Sequence, residues 1–154
     1  MSDSHRVLLI TGAAGGIGRA TVRHFASQGW RVIGVDRAEF GEAYDIPGVY
    51  IQADISDPAA IQTIFDQAKA YSNKLDAIVN NAAVQIAKPI PETSAEEWDL
   101  VMASNLRSVF LGAKLALRVR VIVIERGGLR AGGQGRHDDL GGFGRPTKRQ
   151  QETG

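Results

Sequence analysis

Three glycines, Gly12, Gly16 and Gly18, lie in the stretch TGAAGGIG, at the junction of an apolar run and a helical one. The pattern suits holding an anion rather than making a bond. Gly12 permits a tight turn, Gly16 lets the backbone approach a pyrophosphate, and Gly18 lets helix and strand pack closely. Free N–H groups and the positive end of the helix then receive the phosphates. Asp36 follows 18 residues after Gly18, at the end of the next apolar run. A carboxylate there accepts hydrogen bonds from both hydroxyls of a ribose and repels a 2′-phosphate, which favours NAD over NADP. Arg37, next to it, would pair with such a phosphate and pulls the other way. Out of context the same residues make a surface glycine turn and a capping aspartate. The strand–turn–helix setting and the placed acid favour the dinucleotide.

The elements that must position these residues alternate. RVLLIT (6–11) is a continuous apolar run and reads as a buried parallel strand. GIGRATVRHFASQG (16–29) carries apolar residues at helical spacing and ends on Gly29, a helix-terminating glycine. RVIGVD (31–36) and GVYIQAD (48–54) read as second and third strands. Asp57 and Pro58 start a second helix, the first as cap and the second as first-turn residue. DAIVNNAA (76–83) is a fourth strand running into a polar turn. A long helix follows over 94–117, opened by a Ser94–Glu97 capping box. Trp98, Val101, Met102, Asn105, Leu106, Val109 and Phe110 are expected on its inward side. Strands alternating with helices predict βαβ units and a mostly parallel sheet.

The glycine turn, NNAA at 80–83 and SNLRSVFLGAKLAL at 104–117 together resemble the short-chain dehydrogenase/reductase family, over residues 6–117. The resemblance implies a doubly wound Rossmann fold, a nicotinamide cofactor, and hydride transfer to or from a carbonyl or alcohol. It places Gly12, Gly16, Ile17 and Gly18 on the pyrophosphate turn and Asp36 on the ribose. It puts Asp54 near the adenine amino group with Ile55 against the ring, and Asn80 to Ala83, with Ala82 among them, along the adenosine ribose. NNAA stands where the family more often has NNAG. Asn105 matches the family's active-site asparagine, which holds a water in the proton relay. Read alone, Asp54 is a loop cap, Asn80 and Asn81 are turn formers, and Asn105 is a helix asparagine bonded to backbone.

The same family also uses a serine, a tyrosine, and a lysine four residues after the tyrosine, for acid–base chemistry. The tyrosines here are Tyr44, Tyr50 and Tyr71, all before Asn105, and no Tyr-x-x-x-Lys occurs. The expectation is therefore an inactive cofactor-binding fragment, a parallel sheet truncated to about four or five strands. VRVIVIE (119–125) is the candidate for the fifth, although it starts almost where the long helix stops.

Composition divides the chain at the same place. Residues 1–117 carry 10 Lys/Arg and 13 Asp/Glu, and residues 118–154 carry 8 and 4, so a net −3 is followed by a net +4. The second segment also holds 9 of the 18 glycines. It reads as a disordered Arg/Gly-rich tail. The joint change of composition and period suggests a reading frame lost between about Leu117 and Arg136. The alternative is a non-catalytic dinucleotide-binding module whose basic tail meets RNA or protein; one aromatic, Phe143, and four acids weigh against nucleic acid. A complete enzyme using unusual residues, or a partner chain's Tyr and Lys, is the third reading. Zero cysteines exclude a disulfide framework and thiol chemistry, and His5, His24 and His137 are too scattered to suggest a metal site. No apolar run reaches the ~18 residues of a membrane span. The N-terminus lacks a signal-peptide pattern, so the cytoplasm is the expected compartment. Self-association is expected of the apolar helix faces and sheet edge of a truncated fold.

Overall fold

The computed structural model describes residues 5–118, together with the backbone of Ile124–Glu125 and Gly128–Leu129. Four strands, β1 (Val7–Thr11), β2 (Arg31–Asp36), β3 (Gly48–Gln52) and β4 (Ala77–Asn80), form one parallel sheet in the order β3-β2-β1-β4. All five residues of β1 are buried, which is why its sequence is apolar without alternation. Its side chains divide between two cores. Val7 and Leu9 join Ile33, Val35 and Ile51 on one face, and Leu8 and Ile10 join Val32 on the other.

Helices cover both faces. On one side α1 (Gly16–Ser27) packs Val22 and Phe25 against Leu8 and Ile10. On the other, α2 (Pro58–Tyr71) contributes Ile61, Ile64, Phe65 and Ala68. The predicted helix ends are present. Gly29 takes φ +77°, and the Asp57 side chain accepts from the Ala59 N–H at 2.9 Å. Ser94 and Glu97 bond reciprocally, at 3.0 and 3.2 Å.

The long helix departs from expectation in two ways. It is interrupted: α3 (Ala95–Met102) passes through a π-helical turn, Ala103–Arg107, into α4 (Ser108–Ala116). It also faces differently. Trp98, Leu106 and Phe110 are 60%, 58% and 63% exposed, while Ala103, Ser104, Ser108, Gly112 and Ala116 are buried. Residue size misleads here. Small residues in α4 let it approach α2 closely; a Cβ on Gly112 would lie 3.9 Å from the Phe65 ring. The Ser108 hydroxyl is satisfied by donating to the Ser104 carbonyl one turn back.

Ile124–Glu125 pairs antiparallel with Gly128–Leu129 and not with the parallel sheet. Residues 119–123 of the candidate fifth strand, and most of the tail expected to be disordered over 118–154, lie outside the described residues. No described helix is long and apolar enough to cross a membrane.

Candidate functional site

Order reverses at the centre of the sheet, where β1 has β2 on one side and β4 on the other. The chain leaves the carboxyl ends of β1 and β4 towards opposite helical layers, and a crevice opens between them. One wall is the glycine turn. Gly12 adopts φ +70°, and a Cβ there would stand 2.8 Å from Ala82 Cα. A Cβ on Gly18 would stand 1.9 Å from the Gly12 carbonyl oxygen. Both glycines are therefore demanded by the fold itself. Gly16 is different: a Cβ there would meet nothing within 4 Å.

The opposite wall is Asn81–Val84, joined to the first by hydrogen bonds. Thr11 Oγ1 accepts from the backbone N–H groups of Asn81 and Ala82, each at 3.2 Å. Asn81 Nδ2 donates to the carbonyls of Thr11 and Gly12, each at 3.1 Å. The bonding of Thr11 was not anticipated, although a polar residue closing an apolar strand is its signal in the sequence.

Asp36 ends β2 at the mouth of the glycine turn. Its Oδ2 accepts from the Ala14 N–H and its Oδ1 from the Ala38 N–H, both at 3.0 Å. Two ionised carboxylate oxygens offer about four acceptor positions, so each keeps capacity for a further donor. The Asp54 carboxylate accepts from the Ser56 N–H at 2.8 Å; that bond, and the Ser56 hydroxyl, hold it below the usual carboxylate range, with Arg37 adding to the effect.

These residues surround one cleft of about 400 Å³, bounded by Gly12, Gly16, Ile17, Gly18, Asp36, Asp54, Ile55 and Ala82. Arg37, Ser56, Leu100 and Ser104 complete it from other elements. Ile17 is 76% exposed, a cost in apolar surface next to the cleft. Asn80 and Asn105 are not on its lining. Asn80 is the last residue of β4, paired with Thr11. Asn105 sits in the π turn, where its Oδ1 accepts from the Val84 N–H and its Nδ2 donates to the Val84 carbonyl, both at 2.8 Å. Arg107, from the same turn, donates to the Ser56 carbonyl at 2.9 Å. The π turn thus grips both the Asp54–Ser56 loop and the Asn81–Val84 wall. Nothing in a helical reading of 94–117 signals that.

The sheet order, the glycine turn and the acid after β2 agree with the comparison against known families, where the model described as short chain dehydrogenase matches residues 6–128. This chain belongs to the short chain dehydrogenase family. The match runs 11 residues past Leu117, where the resemblance read from the sequence stopped. The chain is 31% identical over 123 residues to the 3-oxoacyl-(acyl-carrier-protein) reductase FabG of Escherichia coli, covering 77% of this chain and 50% of that protein. It is 37% identical over 125 residues to a short chain dehydrogenase/reductase of Macrophomina phaseolina, covering 74% and 71%. Among solved structures, a short chain dehydrogenase of Leptospira borgpetersenii with bound NAD+ superposes at a TM-score of 0.69 with 30% identity, over 74% of this chain and 45% of that one. The chain therefore spans about half the length of that solved structure and of the FabG reductase. Short-chain dehydrogenases are oxidoreductases that depend on a nicotinamide dinucleotide.

Proposed function

We propose that this chain binds NAD in the cleft between the glycine turn and Asn81–Val84, as the cofactor half of an oxidoreductase acting on an alcohol or carbonyl. Gly16 carries the reading. Gly12 and Gly18 are explained by packing, whereas the space over Gly16 is open and faces the cleft, so its missing side chain is accounted for by a bound group. When bound, the nicotinamide dinucleotide supplies hydride transfer. The chain's own residues bind and orient it. The first N–H groups of α1 receive the pyrophosphate, with Ile17 beside it. The free acceptor positions of Asp36 take the adenosine ribose hydroxyls, and Asp54 and Ile55 flank the adenine. Ala82 acts on the ribose side, and Asn80, paired with Thr11 at the end of β4, supports that wall from behind. Asn105 serves through Val84, whose backbone it holds. NADP is disfavoured because its 2′-phosphate would meet the Asp36 carboxylate.

Turnover by the chain itself is not part of the proposal. The tyrosine hydroxyls of Tyr44 and Tyr50 donate to the Val32 and Ala38 carbonyls, and neither residue lines the cleft. The Arg/Gly-rich residues beyond the family match, from 129 onward, are read as a segment of different origin, and the stripe of Trp98, Leu106 and Phe110 as the surface through which copies associate.

Calorimetric titration of the purified chain with NAD+ and NADP+ tests the reading. Binding of NAD+ in preference to NADP+, with no alcohol-dependent reduction, is expected. Equal affinity for both, or none, would sink it. The nucleotide sequence from the Asn105 codon to beyond the Gly154 codon, translated in three frames, tests the origin of the tail: a shifted frame encoding a serine-bearing strand and Tyr-x-x-x-Lys is the expected result.

A further inference from the structure

Arg19 follows the last glycine of the turn but does not line the cleft. Each of its three guanidinium nitrogens bonds elsewhere. Nε donates to the Ala14 carbonyl at 2.8 Å, Nη1 to Glu42 Oε1 at 3.0 Å, and Nη2 to the Phe40 carbonyl. Its plane lies over the Phe40 ring, 4.3 Å from the centroid. Glu42 also takes Arg23 at 2.6 Å, so the loop after β2 is pinned by two cations from α1.

The Ala14 backbone links Arg19 to Asp36, which lines the cleft. Its N–H donates to Asp36 Oδ2 at 3.0 Å while its carbonyl accepts from Arg19. The Ala14 backbone thus stands between a carboxylate and a guanidinium, its N–H in the peptide with Ala13 and its carbonyl in the peptide with Gly15, so that two successive peptide planes are fixed together. Two consequences follow. The Asp36 carboxylate is aimed by a donor that cannot rotate. The Arg19 charge, beside the ribose end, is also held on Glu42 and Phe40 and kept from a 2′-phosphate.

We propose that Arg19 is a positioning residue that sets the discrimination between NAD and NADP from outside the cleft, by fixing the Ala14 carbonyl and with it the adjoining N–H that bonds Asp36, and by being itself tethered to Glu42. The proposal rests on the dinucleotide reading of the cleft. It concerns residues that touch no part of the dinucleotide.

The test is a cycle of dissociation constants for NAD+ and NADP+, measured on the full chain as wild type, Arg19→Gln, Arg19→Lys, Glu42→Gln, Asp36→Asn and the double variant Arg19→Gln/Asp36→Asn. Arg19→Gln is expected to weaken NAD+ by about tenfold, the order of one charge-assisted hydrogen bond, with a smaller loss for NADP+. Arg19→Lys should not restore the preference, because one ammonium cannot span three acceptors. Glu42→Gln, which loosens the tether, should improve NADP+ relative to NAD+. In the Asp36→Asn background the Arg19 change should leave the ratio where it was. Equal losses for both dinucleotides, or an unchanged effect without Asp36, would overturn the proposal and leave Arg19 a stabilising residue only. Hydrogen exchange at the Ala14 amide supplies a readout that needs no ligand. It should quicken in Arg19→Gln while the amides of β1 and β2 keep their rates. If the wild type binds neither dinucleotide, the reading of the cleft falls and discrimination with it. An Ala14 amide indifferent to Arg19 overturns the link itself.

Discussion

Asn81 donates from one side-chain nitrogen to two carbonyls of the glycine turn, those of Thr11 and Gly12, each at 3.1 Å. The residues are about seventy positions apart, and the bonds make the two walls of the cleft one unit. A turn that is to present its N–H groups to an anion must keep its carbonyls pointed away, and Asn81 does this.

Asn81→Ala removes the donor from both half-buried carbonyls. A loss of about 1–3 kcal/mol is expected, the cost of leaving such acceptors without a partner. Asn81→Asp should be worse, because a carboxylate oxygen would face the two carbonyl oxygens. Urea unfolding checks both; a midpoint unchanged by Asn81→Ala would remove the bridge from the account.

The glycines separate fold from binding. Gly18→Ala places a Cβ 1.9 Å from the Gly12 oxygen and should abolish or severely weaken folding. Gly16→Ala meets no protein atom and should leave the melting temperature within a few degrees while weakening NAD+. Melting curves with and without NAD+ read both. Full affinity in Gly16→Ala would remove the main support for the dinucleotide site.

Asp36→Ala should weaken NAD+ by about tenfold or more, as expected when a charged acceptor of two hydroxyls is lost. It should also cost stability, since Ala14 and Ala38 lose their acceptor. His24→Ala, on exposed α1 surface, should leave NAD+ affinity unchanged. Titration of the two variants side by side would expose an Asp36 with no part in binding.

Alkaline pH should unfold the chain through its tyrosines. Burial, helped by the Asp36 carboxylate, pushes the Tyr50 phenol up to about 12 from the ordinary 10.0, and burial pushes Tyr44 further still. Both phenols keep their protons in the folded chain at pH values where the unfolded chain has lost them. The stability they contribute is present in full below pH 10.0 and falls as pH rises towards about 12. Phenolate absorbance should therefore rise together with loss of helical circular dichroism. A Tyr50 that ionises near 10.0 in a chain still folded would contradict this.

Trp98, Leu106 and Phe110 should make the chain associate as concentration rises. Sedimentation of Leu106→Lys/Phe110→Lys is expected to return a monomer with unchanged NAD+ affinity. A wild type that stays monomeric would leave the stripe without this role.

The strands, the helix caps and the glycine turn were legible because each depends on neighbours in sequence. Val7 to Ile10 is buried on both faces and so is apolar throughout; Asp57 caps the helix that begins with Pro58. The bridges between distant elements were not legible, because Thr11 with Asn81, Arg19 with Phe40 and Arg107 with Ser56 meet only after the sheet is assembled. The face of the long helix was misjudged for a definite reason. Large apolar side chains mark a core only where the neighbours leave room, and the α2 contact selects Ser108 and Gly112 instead.

The π turn at Ala103–Arg107 also has a meaning for how such a chain changes over generations. An α-helix that carries one residue too many can be healed by a single deletion, and the healed helix would have better backbone hydrogen bonds. The same deletion would leave Ser108 and Gly112 on the face they now present, because the π turn already absorbs the extra residue, and would instead undo the turn itself. It would also part Asn105 from Val84 or Arg107 from Ser56, according to where it fell. The helix is trapped in its irregular form by what it holds, so insertions and deletions here should be purged while substitutions at exposed polar positions such as Glu96 and Lys114 drift.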